Sequence, residues 1–427
     1  MTRATTRAAL LLLLALVAVA ATVAPAQVQA PATRIDDMSF PAGLEGERYS
    51  MLLDAVNSHD LTLAERFYNE HVSDEFKEHF TLESFLDGYK WIASTTGGLD
   101  FHAVRTYVPA RSGLTTLVCR DRLYGSWWAV VFHYGDRPED GLTDMKMMRA
   151  TMPDDVAADK ITAKEFAAKL TAALGRVCEA GLFSGAVLVA DGYEPIVERA
   201  CGIADAESGE PVTMSTRFEL GVAREMFLAV AVMQLAEQGR LSLVDPVGKH
   251  IGSPFAVAQR VTVSELMSHA SASADSFALE FEQGAGKPLI GAVIESVAGV
   301  GLGEYLSEHV FGPAGMDDTV VTGEGHVLST APDLHAFTAA LAEAKLVSGA
   351  SIAGMWTDQS GGRGYGYGFA IGGGPKGLVV GHTSAATSSV NYDIYAKTGQ
   401  TVVVLSDMEG AAWPVEALIG DLMVRLE

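Results

Sequence analysis

TRFELGVAREMFLAVAVMQLAEQGRLSLVDPV, residues 216–247, is the stretch whose reading decides how this chain folds. Met226, Phe227, Leu228, Val230, Val232, Met233 and Leu235 cover nearly every face of the helix predicted over Ala223 to Gln238. A helix apolar all round must be buried in a large domain. Gly239 supplies its stop.

Reading outward, Thr262-Val-Ser-Glu265 is a capping box that starts a short helix, and Leu289 to Ala298 is a further apolar helix. The pattern then turns to strands at Tyr367–Ile371, Leu378–Gly381, Ser388–Ala396 and Thr401–Ser406, before a last helix from about Trp413 to Leu426. Gly372-Gly373-Gly374 before Pro375 suits a hairpin turn. Upstream, the capping box Thr162-Ala-Lys-Glu165 opens a helix to about Glu179. Gly185–Ala190 and Ile196–Gly202 form a hairpin around Asp191-Gly192. Helices set beside an antiparallel sheet make residues 160–427 an α+β domain.

Further upstream the period changes twice. Residues 31–45, with Pro31, Pro41 and Gly43, read as a linker. From Glu47 to about Ser94 apolar residues recur at helical spacing. Thr106–Val108, Leu114–Arg120, Tyr124–Tyr134 and Leu142–Thr151 read as strands. Residues 46–152 are thus a smaller α+β domain, and Pro153-Asp154-Asp155 marks its end. Within it, Trp127, Trp128, Phe132 and Tyr134 are distributed over both faces of a strand, for packing or for a pocket or dimer surface. His71 and His79 are expected to be exposed on a helix. Residues 1–30 read as a cleaved export signal, with Arg3 and Arg7 ahead of the apolar run Leu10–Ala21 and cleavage after Ala26 or Ala30. The apolar core is about 14 residues, against roughly 20 for a membrane span.

The chain has 427 residues, 48% of them hydrophobic and 19% charged, which excludes a disordered or fibrous protein. Its net charge of −23, with no basic run, argues against nucleic acid or anionic lipid as partner. Its 3 cysteines cannot staple a chain of this size. Cys178 with Cys201 is the one pair worth testing, and three buried thiols are the competing expectation. The 11 histidines show no His-Glu-x-x-His, there is no Cys-x-x-Cys, phosphate loop or Gly-x-Ser-x-Gly, and no metal or cofactor is expected.

Several segments in order resemble the serine hydrolases related to class C beta-lactamases and low-molecular-weight penicillin-binding proteins. They are Phe183-Ser-Gly-Ala-Val-Leu-Val, Ala200-Cys-Gly-Ile-Ala-Asp, Thr216 to Gly221, Ala229 to Val247, Val261 to His269, Gly291 to Gly299, Phe311-Gly-Pro-Ala-Gly-Met316, Tyr365-Gly-Tyr-Gly-Phe369 and Gly381-His382. The resemblance spans residues 176–427. It implies a sheet flanked by terminal helices beside a helical lobe, with the site between them. It also implies a nucleophilic Ser and a Lys in Ser-x-x-Lys at the start of the buried helix, where the helix N-terminus stabilises negative charge and Lys can take the proton.

Here those two positions are Val222 and Glu225. Valine has no atom that attacks a carbonyl. The family's Tyr-x-Asn falls on Glu282 and Gly284, in a stretch that is shorter than usual. The third motif falls on His382-Thr383-Ser384, with Ser in place of Gly where the strand should offer an oxyanion-hole N–H. Lys397-Thr398-Gly399 and Ser389-Val390-Asn391 spell family tripeptides at the wrong places and read as a turn and a strand.

Three altered motifs on a retained scaffold imply that acyl transfer has been abandoned. The expectation is an exported, catalytically inactive relative, with Val222, Glu225, Glu282, Gly284, His382, Thr383 and Ser384 lining a remnant cleft. Its partner would be a small molecule, a cell-wall fragment or a protein, with a homodimer also open. The rival is an active hydrolase using Ser271, Ser273 or Ser384, or a water activated by a Glu225 of raised pKa. Simple ion pairing is the plainer reading of Glu225 and Arg224. The domain of residues 46–152 looks, more loosely, like the cone-shaped fold of nuclear transport factor 2.

Overall fold

The computed structural model describes residues 33–108, 114–134, 141–252, 257–285, 288–323, 325–374, 376–385 and 389–427. Residues 1–30, read as an export signal, lie outside them. The chain divides into two compact units, up to Val156 and from Ala157 onward.

In the first unit five antiparallel strands lie in chain order: Thr33–Asp37, Leu99–Val108, Leu114–Asp121, Trp127–Tyr134 and Leu142–Arg149. The helices Gly43–Ser58, Leu61–His71, Asp74–His79 and Leu82–Thr96 come between the first two strands. Asp60, Ser73 and Thr81 cap three of them by accepting a backbone N–H with the side chain. Trp128, Val130, Phe132 and Tyr134 pack with Tyr49, Phe67 and Phe85 in one apolar core. Trp127 points to the other face, edge-on to His102.

The linker expected over 31–45 is corrected. Thr33–Asp37 is an edge strand paired with Leu99–Val108, and Asp36 receives both Nε and Nη2 of Arg105 at 2.7 Å. That bidentate pair holds a strand too short and too polar to be read from hydropathy alone. The strand expected from Tyr124 begins at Trp127, because the Asp121 carboxylate collects the N–H groups of Tyr124, Gly125 and Ser126 and the Trp128 indole into a turn. His71 is buried beside Arg48 and Phe67, not exposed; only His79 lies on the surface.

The second unit is built on a six-stranded antiparallel sheet in the order Ala370–Gly374, Gly377–Ala385, Ser389–Tyr395, Thr401–Ser406, Gly185–Asp191, Glu194–Cys201. The early hairpin therefore joins the four late strands through Thr401–Ser406. Helices Ala163–Glu179 and Ala412–Arg425 pack together and against this sheet. Gly372–Gly374 continues the edge strand and is not the turn expected of it. The buried helix runs Glu225–Glu237, after a 3-10 turn at Gly221–Arg224. Phe227 of that helix meets the rings of Phe311 and Phe337 edge-on at 5.3 and 4.8 Å. Cys178 and Cys201 are joined, with Cα atoms 6.1 Å apart, and Cys119 is a buried thiol. The expectation of three free thiols is thereby corrected. Among the described residues no single helix is long and apolar enough to cross a membrane.

Candidate functional site

Gly221 takes a φ of +53°, a left-handed turn that glycine adopts without strain, and a Cβ there would come within 3.0 Å of the Ser384 hydroxyl. The chain then makes its 3-10 turn. Ala223 and Met226 point into the core, and Val222 is left at the tip with 45% of its surface exposed. An aliphatic side chain thus stands in the open at the place expected of a nucleophile.

Glu225 starts the buried helix. Its Oε2 accepts from the Tyr365 hydroxyl at 2.7 Å and from His269 Nε2 at 3.0 Å. His269 Nδ1 lies 2.7 Å from Asp275 Oδ1. His382 Nε2 reaches the Tyr365 oxygen at 2.8 Å and lies 4.0 Å from Glu225 Oε2. Asp275, His269, Glu225, Tyr365 and His382 form one chain of polar contacts.

Each member is placed by its own element. The Thr262–Glu265 capping box starts helix Val263–Ser268, and His269 ends it at φ +50°. A non-glycine residue seldom takes that conformation. The turn that carries Tyr365 is tied by Asp358, which holds Ser360 and Gly364, and by Ser360 Oγ, which accepts from Tyr365 N. His382 lies in the strand Gly377–Ala385, buried.

Burial pushes the Glu225 carboxyl up, but the hydrogen bonds from His269 and Tyr365 and the nearby imidazoles outweigh it, and its pKa is lowered. The raised pKa expected of Glu225 is corrected accordingly. His269 rises to about 9, chiefly through its bond to Glu225 and further through Asp275. Tyr365 is pushed up by burial and by Glu225. Burial lowers His382, which is neutral. With the phenol proton directed at Glu225, His382 donates from Nε2 to the phenol oxygen. Its Nδ1 is buried. At neutral pH the site therefore holds Glu225⁻ beside His269⁺, with Asp275 on the far side of the imidazole.

The other expected residues are distributed around this chain. Glu282 pairs with Arg224, so the pairing foreseen for Arg224 is present, while Glu225 pairs with histidine and tyrosine and not with arginine. Gly284 lies in helix Ala272–Ala285, at a point whose surroundings are outside the described residues. Thr383 points away from His382 and donates to Asn391 Oδ1 at 2.9 Å. Ser384 is buried against Gly221. Ser271 accepts from Ala274 N as a cap, and the side chain of Ser273 is outside the described residues.

A cavity of about 190 Å³ adjoins the chain, with Glu225, His269, Asp275 and the Arg224–Glu282 pair on its polar side and Leu228, Leu266 and Leu289 among its apolar side chains. Sequence reasoning missed His269, Asp275 and Tyr365 as site residues. His269 and Tyr365 stood in segments read only as scaffold, and Asp275 carried no signal. Among the described residues no group of three or more His, Cys, Asp or Glu is placed to hold a metal.

Residues 163–416 match the beta-lactamase family model. A putative penicillin-binding protein, PbpX of Bacillus subtilis (strain 168), is 24% identical over 279 residues, covering 52% of this chain and 70% of that protein. The chain spans half or less of the other curated relatives it matches. Among solved structures, a penicillin binding protein from Bacillus halodurans superposes with a TM-score of 0.50 at 21% identity, over 58% of this chain and 98% of that one. The D-amino acid amidase from Ochrobactrum anthropi SV3, complexed with L-phenylalanine, does so at 0.50 and 16%, over 60% of this chain and 98% of that one. At such identities the two structures bear on the fold alone.

Proposed function

The chain belongs to the beta-lactamase family, and from that premise we propose that it is an exported member that has given up acyl transfer and uses the remnant cleft to bind a small ligand, a cell-wall fragment in the first instance. The observation that carries this reading is the pairing of an exposed Val222 at the helix tip with a Glu225 held by His269 and Tyr365. No covalent intermediate forms on valine. A carboxylate of lowered pKa, already accepting two hydrogen bonds, is a poor base for activating water. Ser384 is packed under Gly221, and no hydrogen bond joins it to Glu225 or His382 among the described residues. A fixed array of charges beside an apolar cavity suits recognition, since it orients a polar group and shelters an apolar one. Export is supported by the Cys178–Cys201 bond, which persists in oxidising compartments.

The test combines labelling with binding. The expected result is that a serine-directed fluorophosphonate leaves the protein unlabelled and a chromogenic cephalosporin is not turned over. A soluble muropeptide digest should bind saturably, with affinity reduced at least tenfold by Glu225→Gln. Val222→Ser with Glu225→Lys should restore little hydrolysis, because the tyrosine loop is replaced by helix Ala272–Ala285 and misplacement of catalytic groups is costly. Labelling of a serine, lost when Ser384 is changed to Ala, would overturn the proposal.

A further inference from the structure

The strand that carries His382 has a second face. In an antiparallel sheet directly paired residues share a face. Asp393 pairs with Gly381, and Gly381 pairs with Ala370. Tyr395 pairs with Val379, and Val379 with Gly372. Asn391 pairs with Thr383. These residues lie on the opposite face from His382. On that face the row running out from Asp393 has almost no side-chain volume, and the row from Tyr395 ends in a glycine.

The missing volume is a cavity of about 510 Å³, bounded also by Trp413, Glu416 and Gly420 of the C-terminal helix. That is the size of a small-molecule site. A Cβ built on Gly372 would meet nothing within 4 Å, and Gly372 does not need a positive φ. Neither crowding nor backbone conformation therefore calls for glycine there.

The contents of this cavity are not those of an ordinary sheet–helix seam. Farther along the same face Val402 and Val404 are apolar and buried. At the cavity Thr383 Oγ1 donates to Asn391 Oδ1 at 2.9 Å, and Asn391 Nδ2 donates to Asp393 Oδ2 at 2.9 Å. Asn391 is only 4% exposed, so this short relay is fixed, and it ends on a carboxylate. Among the described residues the lining holds Asp393 and Glu416 and no lysine or arginine. The other titratable side chain on this face is Tyr395, pushed up by burial and the two carboxylates, while His382 borders the cavity from the strand with its ring on the opposite face at Tyr365. Burial raises the Asp393 carboxyl, with the Asn391 hydrogen bond opposing. A half-buried carboxylate at the end of a fixed relay, in a cavity with aromatic walls, is chemically matched to an organic cation.

We propose that this cavity binds an organic ammonium ion, with the charged nitrogen on Asp393 and the ligand body against Tyr395 and Trp413. The site is separate from the cleft around Glu225 and stands whether or not that cleft has lost catalysis.

The experiment titrates the full chain with benzylamine, benzyl alcohol and benzoate at neutral pH, followed by calorimetry. Benzylamine should bind saturably and at least tenfold more tightly than benzyl alcohol, and benzoate should not bind. Asp393→Asn should weaken benzylamine at least tenfold. Gly372→Leu, which fills the open space without touching a charge, should do the same and decides the matter if Asp393→Asn fails to fold. The proposal is overturned if benzylamine shows no saturable binding to the folded protein. It is equally overturned if binding survives Gly372→Leu unchanged, or persists in Asp393→Asn and is lost in Glu225→Gln.

Discussion

Glu225 sets the chemistry of the cleft at the scale of single residues. A lysine there would be a proton acceptor for a neighbouring hydroxyl, whereas a carboxylate is a fixed negative charge that recruits donors. His269 answers it as a cation and Tyr365 as a neutral donor. The folded pKa of His269 is raised from 6.5 to about 9, so the stability it contributes is fully present below pH 6.5 and is lost as pH rises through about 9. Glu225 has the opposite sign: its lowered folded pKa gives stability that is present above 4.5 and is lost as pH falls through the folded value. His269→Asn keeps a residue tolerant of the left-handed backbone and removes the ion pair. With the His269 side chain 40% exposed, screening reduces the expected loss to about 1 kcal/mol. Denaturation midpoints should separate wild type from this variant at pH 6 and converge by pH 10. Glu225→Lys sets a cation against His269⁺ and is expected to cost about 2 kcal/mol. In an NMR titration it should also bring the His269 midpoint back below about 7. The changed letters at 222 and 225 are plain in the sequence, but their partners are not. His269 is 44 residues from Glu225 and Tyr365 is 140, and no local spacing rule connects residues so far apart.

Elements separate Val222, in the 3-10 turn, from Val230, inside the buried helix. Val230 is fully buried, and Val230→Ala should lower stability by about 2–3 kcal/mol in chemical denaturation. Val222 is half exposed, so Val222→Ser should stay within about 0.5 kcal/mol of wild type. A large loss in Val222→Ser would mean that the valine is kept for packing and not because a nucleophile is dispensable. Capping boxes and strong periodicity made the helices readable: Thr162 and Thr262 cap as their sequences predict. The misreadings fell where the local signal is weak. Thr33–Asp37 is held by the ion pairs Asp36–Arg105 and Arg34–Asp154 and an edge ladder, and Gly372–Gly374 is strand only because Gly377–Ala385 pairs with it. His71 was misread because the face it occupies is buried by Arg48 and the aromatic core, which its own helix does not reveal.

The disulfide acts on the second unit as a whole. Cys178 and Cys201, 23 residues apart, tie the helix Ala163–Glu179 to the edge strand Glu194–Cys201. Closing a loop of that length should contribute about 3 kcal/mol through the unfolded chain. Cys178→Ser with Cys201→Ser should lower the denaturation midpoint accordingly. Wild type in reductant should behave like the variant, and equal midpoints in oxidised and reduced protein would contradict this. The sequence by itself determined the strongly periodic and capped elements, the buried helix and the family scaffold of the second unit, because periodicity, caps and apolar content are local properties that survive any arrangement in space. It also determined that no nucleophile stands at residue 222, since that is a matter of which atoms valine possesses. Only the tertiary structure decided that Cys178 and Cys201 pair, that Glu225 is held ionised and not poised as a base, and that a polar cavity lies behind the His382 strand. Those outcomes depend on distances and burial between segments far apart in the chain, and hydrogen bonds and charges change strength within an ångström or two.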